Sequence, residues 1–205
     1  PVGRPFPVLR ETQAITLEVI VRTVFGVTDP ERRAALGDRL RRFVTIAVNP
    51  LLLWPRLQLD LGPRSPWGRF VRLRREIDAM LDDEIAERRT TPGRDDVLSL
   101  LIAARDEDGN PMGDADLRDE LLTLLMAGHE TTATALAWAL HRILTEPDLL
   151  QRLRDELTHV TGGDAPEPGH LAGLEYLDAT IKETMRLNPV IPDVMRVLQR
   201  PARIG

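Results

Sequence analysis

Six consecutive residues, Ala127-Gly128-His129-Glu130-Thr131-Thr132, combine a glycine, a carboxylate and two hydroxyl groups inside an otherwise apolar stretch. A glycine costs about 1 kcal/mol relative to alanine in a helix interior, and β-branched threonines add smaller penalties. We therefore interpret the run as a place where a ligand approaches the backbone at Gly128, with Glu130 and Thr131 positioned to pass protons to it. The Thr131 hydroxyl can also bend or widen the helix locally. The alternative is a tolerated polar patch that faces a neighbouring helix.

The pair His129-Glu130 begins like the helical zinc signature His-Glu-x-x-His. That signature needs a second histidine four residues after the first, and Ala133 occupies this position. The sequence therefore excludes that zinc site, and no metal ligands are predicted. His129 and His141 are interpreted as ordinary polar or packing residues.

A second candidate pair, Glu183 and Arg186, lies on the last predicted helix, residues 174 to 188. The two residues are three positions apart and are therefore neighbours on the helix surface. From periodicity alone this is a surface ion pair worth a few tenths of a kcal/mol.

The helix that carries the six-residue run is predicted to extend from residue 114 to residue 145, because Pro147 is the first residue that its interior cannot accommodate. At ~1.5 Å per residue it would span ~45 Å, enough to cross a whole domain. Apolar residues lie on nearly every side between Leu121 and Leu144, which predicts that protein surrounds this helix.

Helical spacing recurs through the rest of the chain, and few runs are typical of strands, so the predicted fold is mainly α. A proline-containing but apolar segment, residues 49 to 66, is interpreted as a loop packed on the body or as a lid over an apolar channel. The other predicted helices are one that opens at Ile15 and ends before Gly26, 30 to 49, 65 to 89, a short helix capped by Asp95, and 147 to 160.

Composition narrows the functional classes. The chain has 205 residues, 42% hydrophobic and 29% charged, which is typical of a soluble globular protein. A formal net charge of -5 gives no electrostatic reason to expect nucleic acid as a partner. No long uncharged apolar stretch predicts a membrane span, so a cytoplasmic location is expected. The absence of cysteine excludes disulfides and thiolate ligands within these residues.

Taken together, the motif Ala-Gly-x-Glu-Thr-Thr on a long central helix and the later segment 182 to 189, Lys-Glu-Thr-Met-Arg-Leu-Asn-Pro, resemble the cytochrome P450 family in content, order and spacing. The resemblance extends over essentially the whole chain and implies the central helical portion of the P450 fold. Residues 1–205 would then be a partial domain. The N-terminal helices and the C-terminal cysteine loop would lie outside it.

The resemblance also implies roles for individual residues. Ala127, Gly128 and Thr132 would line the groove on the oxygen and substrate side, while Glu130 and Thr131 would relay the protons used in cleaving the O–O bond. The pair Glu183 and Arg186 would be buried behind the haem. Arg196, in the tail after the last helix, resembles a propionate-binding arginine.

The implied activity is a haem-dependent monooxygenase that inserts one oxygen atom from O2 into an apolar small molecule. Its cofactor would be haem b, and its electrons would come from NAD(P)H through ferredoxin- and reductase-type partners. Because the axial cysteine is not among these residues, we expect the chain to be inactive alone. The alternative is a non-catalytic helical ligand-binding or scaffolding module that kept the fold and lost the chemistry.

Overall fold

The computed structural model describes residues 5–47, 58–59, 62, 65–91, 93–193, 197 and 199–200. Within these residues the chain is mainly helical, and the β-structure is one isolated bridge between Arg105 and Pro111. The predicted mainly α fold with little β is therefore confirmed. The described helices are α1 Val8–Thr23, α2 Pro30–Ala47, α3 Pro66–Thr90, α4 Val97–Ala103, α5 Asp114–Thr145, α6 Pro147–Thr161, the 3-10 helix Pro168–Gly173 and α7 Glu175–Leu187.

The chain divides into two compact units. The first, here called the core unit, comprises residues 13–130; the second, the groove unit, comprises residues 1–12 and 131–205. Helices α1 and α5 contribute residues to both. The core unit contains the apolar cluster that stabilises it: Leu17, Ile20, Val21, Phe25, Val27, Leu36, Leu40, Phe43, Val44, Leu73, Ile77, Leu81, Ile85, Leu98, Leu117, Leu121, Leu122 and Leu125.

Helix α3 follows its sequence pattern closely. Its stripe at spacings of three and four is buried against the core cluster, and Leu73, Ile77, Leu81 and Ile85 are each at most 8% exposed. The Ser65 hydroxyl caps the first turn by accepting a hydrogen bond from the Gly68 amide at 3.0 Å.

The first helix was predicted incorrectly in its extent. Helix α1 begins at Val8, although the apolar pattern predicts a start near Ile15. Ile15 and Val19 are 58% and 51% exposed, whereas the polar residues Thr12 and Thr16 are buried. Ile20, the third residue of the predicted pattern, is 7% exposed, so the pattern identified one buried and two exposed positions. The buried side of α1 also contains hydroxyl groups that find partners on another helix.

The cap of α4 is Asp96, and the prediction of Asp95 was wrong. The Asp96 carboxylate accepts a hydrogen bond from the Ser99 amide at 2.8 Å and also pairs with the buried guanidinium of Arg88. One carboxylate thus accepts a hydrogen bond from an amide in the first turn of α4 and neutralises a buried guanidinium. Asp95 is not assigned as a cap.

The buried pair of Arg88 and Asp96 also explains Gly26. Arg88 Nη2 donates to the Gly26 carbonyl at 3.2 Å, and Gly26 adopts a φ of +64°. A Cβ at this position would lie 2.6 Å from Asp96 Cγ and 2.8 Å from Arg88 Nη1. Both the backbone conformation and the lack of space therefore require glycine.

Helix α5 has the predicted bounds, but the prediction that protein surrounds it was only half right. In its first half, Leu117, Leu121, Leu122 and Leu125 are at most 4% exposed. In its second half, within the described residues, Leu144 is 67% exposed. Leu136, Trp138 and Leu140 in that half are 36 to 41% exposed. An apolar residue on each side of a helix therefore does not by itself predict burial, because neighbouring segments must also cover each side.

In the groove unit, the position of α7 is fixed by α6. The Glu156 carboxylate accepts hydrogen bonds from the backbone amides of Tyr176 and Leu177 at 2.5 and 3.0 Å. These are among the amides at the start of α7 that lack a partner within the helix, and the negative charge also suits the positive end of the helix dipole. None of the described helices is long and apolar enough to cross a membrane.

Candidate functional site

An apolar cavity of about 600 Å³ lies in the groove unit. Its walls are formed by one side of α5, one side of α7 and the residues that follow α7. The lining residues are Thr131, Thr132, Ala135, Leu136, Ala139, Ile181, Met185, Pro189, Val190 and Ile191. Eight of these ten are apolar, so the cavity favours a hydrophobic occupant.

The structure places only part of the six-residue run on this cavity. Thr131 and Thr132 contribute hydroxyl groups to its wall. Ala127, Gly128 and Glu130 belong to the core unit and are not among the lining residues. Ala135 and Ala139, one and two turns beyond Thr131, have short side chains that leave room for a bulky apolar group.

Gly128 faces the core unit at Ile20. A Cβ added at Gly128 would lie 3.4 Å from Ile20 Cδ1, an ordinary van der Waals contact. Packing against Ile20 therefore does not by itself require glycine. Helix α5 is continuous from Asp114 to Thr145, so the local widening predicted around Thr131 does not interrupt it.

The Glu130 carboxylate is held by a side chain from α1. The Gln13 amide nitrogen lies 3.2 Å from Glu130 Oε1 and 3.1 Å from Oε2. The Glu130 side chain is 33% exposed, so its carboxylate is accessible to water as well. A carboxylate that is both fixed in orientation and open to solvent suits the exchange of protons.

His129, beside Glu130, is buried and occupied by a contact with α1. Its Nδ1 lies 2.9 Å from the Thr16 hydroxyl oxygen, and its Nε2 lies 3.5 Å from Glu130 Oε1. Burial lowers the pKa of His129 below its usual value, against a raising effect of Glu130 and with a smaller lowering effect of Arg41. The side chain is therefore neutral near pH 7, in agreement with a packing role.

Glu183 and Arg186 contact each other as the spacing predicts. Arg186 Nη2 lies 2.6 Å from Glu183 Oε1, and this hydrogen bond lowers the pKa of the Glu183 carboxyl. The side chains are 54% and 66% exposed, so the pair lies on the surface of the described residues. Nothing in the described part of the chain covers the pair. Its predicted place behind a haem remains a prediction.

Glu183 also borders a second cavity, of about 380 Å³, between the end of α5, α6 and α7. Two other predictions, Arg196 as a propionate ligand and most of the segment 49 to 66 as a lid, lie outside the described residues.

The apolar walls of the cavity and the alanine side chains on α5 suit the face of a flat hydrophobic macrocycle. The 205 residues contain no cysteine and therefore offer no thiolate to a metal. Among the described residues, no group of three or more His, Cys, Asp or Glu side chains could hold a metal ion.

Comparison with known proteins identifies the family. The family model described as Cytochrome P450 matches residues 2–205, and the chain belongs to this family. Putative cytochrome P450 135B1 of Mycobacterium tuberculosis is 43% identical over 215 residues, covering 100% of this chain and 42% of that protein. Putative cytochrome P450 137 of the same organism is 41% identical, covering 100% and 41%. The chain thus spans about two fifths of the length of these relatives.

Solved structures show the same helical arrangement. A retinoic acid-bound cyanobacterial CYP120A1 is similar with a TM-score of 0.72 at 26% identity, covering 89% of this chain and 39% of that one. The haem domain of cytochrome P450DA has a TM-score of 0.68 at 26% identity, covering 90% and 41%. P450 family members bind haem, and these relatives support haem b as the cofactor of the complete protein.

Sequence reasoning missed the residues of α1 that hold the six-residue run. Thr12, Gln13 and Thr16 contact residues of α5 more than a hundred positions later in the chain. A signal was available, because Thr12 and Thr16 lie four residues apart and therefore share one helix face. A polar stripe on a mostly apolar helix indicates partners for those hydroxyl groups.

Proposed function

We propose that residues 1–205 form part of the domain of a haem monooxygenase that inserts one oxygen atom from O2 into an apolar small molecule. The observation that carries this proposal is the apolar cavity with Thr131 and Thr132 on its wall, on the helix that bears the P450 motif. Membership of the family supports the reaction class.

The class of substrate follows from the cavity lining. Leu136, Ile181, Met185 and Ile191 offer hydrocarbon surface, and within the described part of the chain no lining residue carries a formal charge. Such a surface binds a ligand by excluding water and gives little energy for charged groups. CYP120A1, whose solved structure has retinoic acid bound, is a relative with a largely hydrocarbon ligand.

When it is bound, the haem would supply the activation of O2. The residues of this chain would do the rest. Ala127, Gly128 and Thr132 would shape the space beside the cofactor, and Arg196 would bind a propionate. The pair of Glu183 and Arg186 would support the segment behind it.

The overall reaction consumes the substrate RH, O2, two electrons and two protons, and yields ROH and water. The protons have to reach a water-poor cavity. Glu130 is one-third exposed and can take protons from solvent, and Thr131 is the next residue and lines the cavity. We assign these two side chains to proton transfer. The electrons would come from NAD(P)H through ferredoxin- and reductase-type partners.

Without a cysteine among its 205 residues the chain provides no thiolate, so we expect these residues alone to be inactive as a monooxygenase. The cytoplasmic location remains a prediction.

The test of the proposed function is Thr131→Ala in the haem-loaded enzyme expressed from its complete reading frame. Loss of the hydroxyl should divert electrons from product to hydrogen peroxide. Product per electron should fall by about 10²-fold, which is the lower end of the range for general acid–base catalysis. The measurement is the ratio of product and peroxide to NAD(P)H consumed.

A matched control is Thr123→Ala on the same helix. The Thr123 hydroxyl donates to the Asp119 carbonyl at 2.8 Å, on an exposed side of α5. This control should leave the ratio unchanged. Equal ratios in Thr131→Ala and the unmodified enzyme would contradict the proton role. Failure of the complete product to bind haem would favour the non-catalytic helical module.

A further inference from the structure

Gln13 makes the closest side-chain contact with the Glu130 carboxylate that the structure records. Its amide nitrogen is 3.2 and 3.1 Å from the two carboxylate oxygens. An ionised carboxylate only accepts hydrogen bonds, so the amide has to present its NH2 group and not its oxygen. Contact with both oxygens fixes the rotation of the carboxylate as well as its distance.

Two neighbouring residues fix Gln13 itself. The buried Thr12 hydroxyl donates to the Ala133 carbonyl at 2.9 Å, and the buried Thr16 hydroxyl contacts His129 Nδ1 at 2.9 Å. Each hydroxyl ties α1 to α5, one just before and one a turn after Gln13. The backbone that carries the Gln13 amide is therefore held on both sides.

The other neighbour of Glu130 is a weaker partner. His129 Nε2 lies 3.5 Å from Glu130 Oε1, which is beyond a good hydrogen bond. His129 is also buried and occupied by Thr16 through its other ring nitrogen. With one third of its side chain exposed, Glu130 has room to turn into solvent if the Gln13 contact is lost.

We propose that Gln13 is a positioning residue that holds the Glu130 carboxylate in the orientation used for proton transfer. This inference rests on the proposed function, since it assumes that Glu130 delivers protons. It adds a residue from α1, outside the recognised motif, to the proton-delivery apparatus. Orientation matters because transfer requires heavy atoms within about 3 Å, and misplacement by about 1 Å can cost up to 100-fold in rate.

The test uses Gln13→Met, which keeps the length and volume of the side chain and removes the NH2 donor, in the haem-loaded enzyme from the complete reading frame. Crystal structures should show the Glu130 carboxylate turned away from its original position. Product per electron should fall about tenfold, with a matching rise in hydrogen peroxide. Gln13→Glu, which replaces the donor by a second carboxylate, should have at least the same effect and is the second variant if Gln13→Met folds poorly.

The matched control is Gln151→Met on α6. The Gln151 amide also donates to a carboxylate, that of Asp155 at 2.8 Å, on an exposed helix face. This variant should keep the product ratio of the unmodified enzyme. Its melting temperature and the spectrum of its reduced carbon monoxide complex set the range within which Gln13→Met should also fall.

Non-additivity separates positioning from a general structural effect. The double variant Gln13→Met with Glu130→Gln should form as much product per electron as Glu130→Gln alone, because Gln13 no longer has a carboxylate to position. Additive losses, or an unmoved Glu130 carboxylate in Gln13→Met, would overturn the inference. A fall in product per electron in Glu130→Gln but not in Gln13→Met would overturn the inference and leave the proposed function standing. Unchanged coupling in Glu130→Gln would overturn both.

Discussion

The two halves of α5 are alike in composition and differ in what their apolar residues contact. In the core unit, Leu121 and Leu125 are fully buried among the residues of a packed cluster. In the groove unit, Leu136 is 39% exposed and lines a cavity. The first half of the helix contributes to stability, whereas the second half presents apolar surface for a ligand. One continuous helix therefore contributes a packed half to one unit and an open half to the other.

The charged pairs of the two units differ in the same way. Arg88 and Asp96 are 2% and 8% exposed, and each also makes hydrogen bonds with its surroundings. Glu183 and Arg186 are more than half exposed and contact each other on one helix. A buried pair is costly to break because one charge is left without a partner, while an exposed pair contributes little.

The largest expected effect is the loss of Arg88. Arg88→Met leaves the buried Asp96 carboxylate without its cation and should lower the free energy of unfolding by about 3–5 kcal/mol. Arg118→Met, which breaks a pair with the half-exposed Asp82, should cost at most about 1 kcal/mol. Chemical denaturation of both variants measures the contrast, and similar losses would show that the core unit does not depend on this buried pair.

A second experiment compares the two halves of α5 directly. Leu125→Ala should destabilise the protein by about 2–5 kcal/mol, because it leaves a cavity in a packed core. Leu136→Ala should cost much less, since its side chain already borders a cavity. Midpoints of urea unfolding provide the measurement. Equal costs would mean that the second half is packed as tightly as the first.

A larger side chain on α5 would narrow the apolar cavity of the groove unit. Ala135→Phe should fill part of the cavity and weaken the binding of an apolar ligand about tenfold, equivalent to about 1.4 kcal/mol. Ala172→Phe, at an exposed position in the 3-10 helix, is the control. Spectral titration of the haem-loaded enzyme with an uncharged hydrophobic ligand compares the two. Unchanged affinity in Ala135→Phe would place the ligand elsewhere.

The smallest expected effect concerns pH. Burial lowers the pKa of His129 from its usual 6.5, so the folded protein binds this proton less readily than the unfolded chain. Stability from this group is therefore complete above about pH 6.5 and declines as the pH falls below that value. Relative to His129→Gln, the unmodified protein should lose melting temperature between pH 7 and pH 5. Parallel pH profiles of the two proteins would contradict this assignment.

Local signals in the sequence predicted the helices well. Pro147 and the acidic residue Asp114 set the bounds of α5, and the spacing of apolar residues set the buried face of α3. The neighbouring residues Asp95 and Asp96 could not be distinguished as caps, because the choice depends on Arg88, which the fold brings alongside.

The site was predicted less completely. The motif around Glu130 and Thr131 identified the correct helix, yet nothing local indicated that Gln13 contacts Glu130, since 117 positions separate them. Nor could periodicity show that the second half of α5 lines an open cavity. Contacts between distant segments depend on how the helices pack, which spacing within one helix does not determine.

The measurement that tests the central claim most directly is the reduced carbon monoxide spectrum of the product of the complete reading frame, recorded beside that of residues 1–205. We expect a strongly red-shifted Soret band, the mark of thiolate-ligated haem, in the complete product and none in the 205 residues, which contain no cysteine. Absence of that band from the complete, folded product would contradict the assignment of this chain to a working monooxygenase.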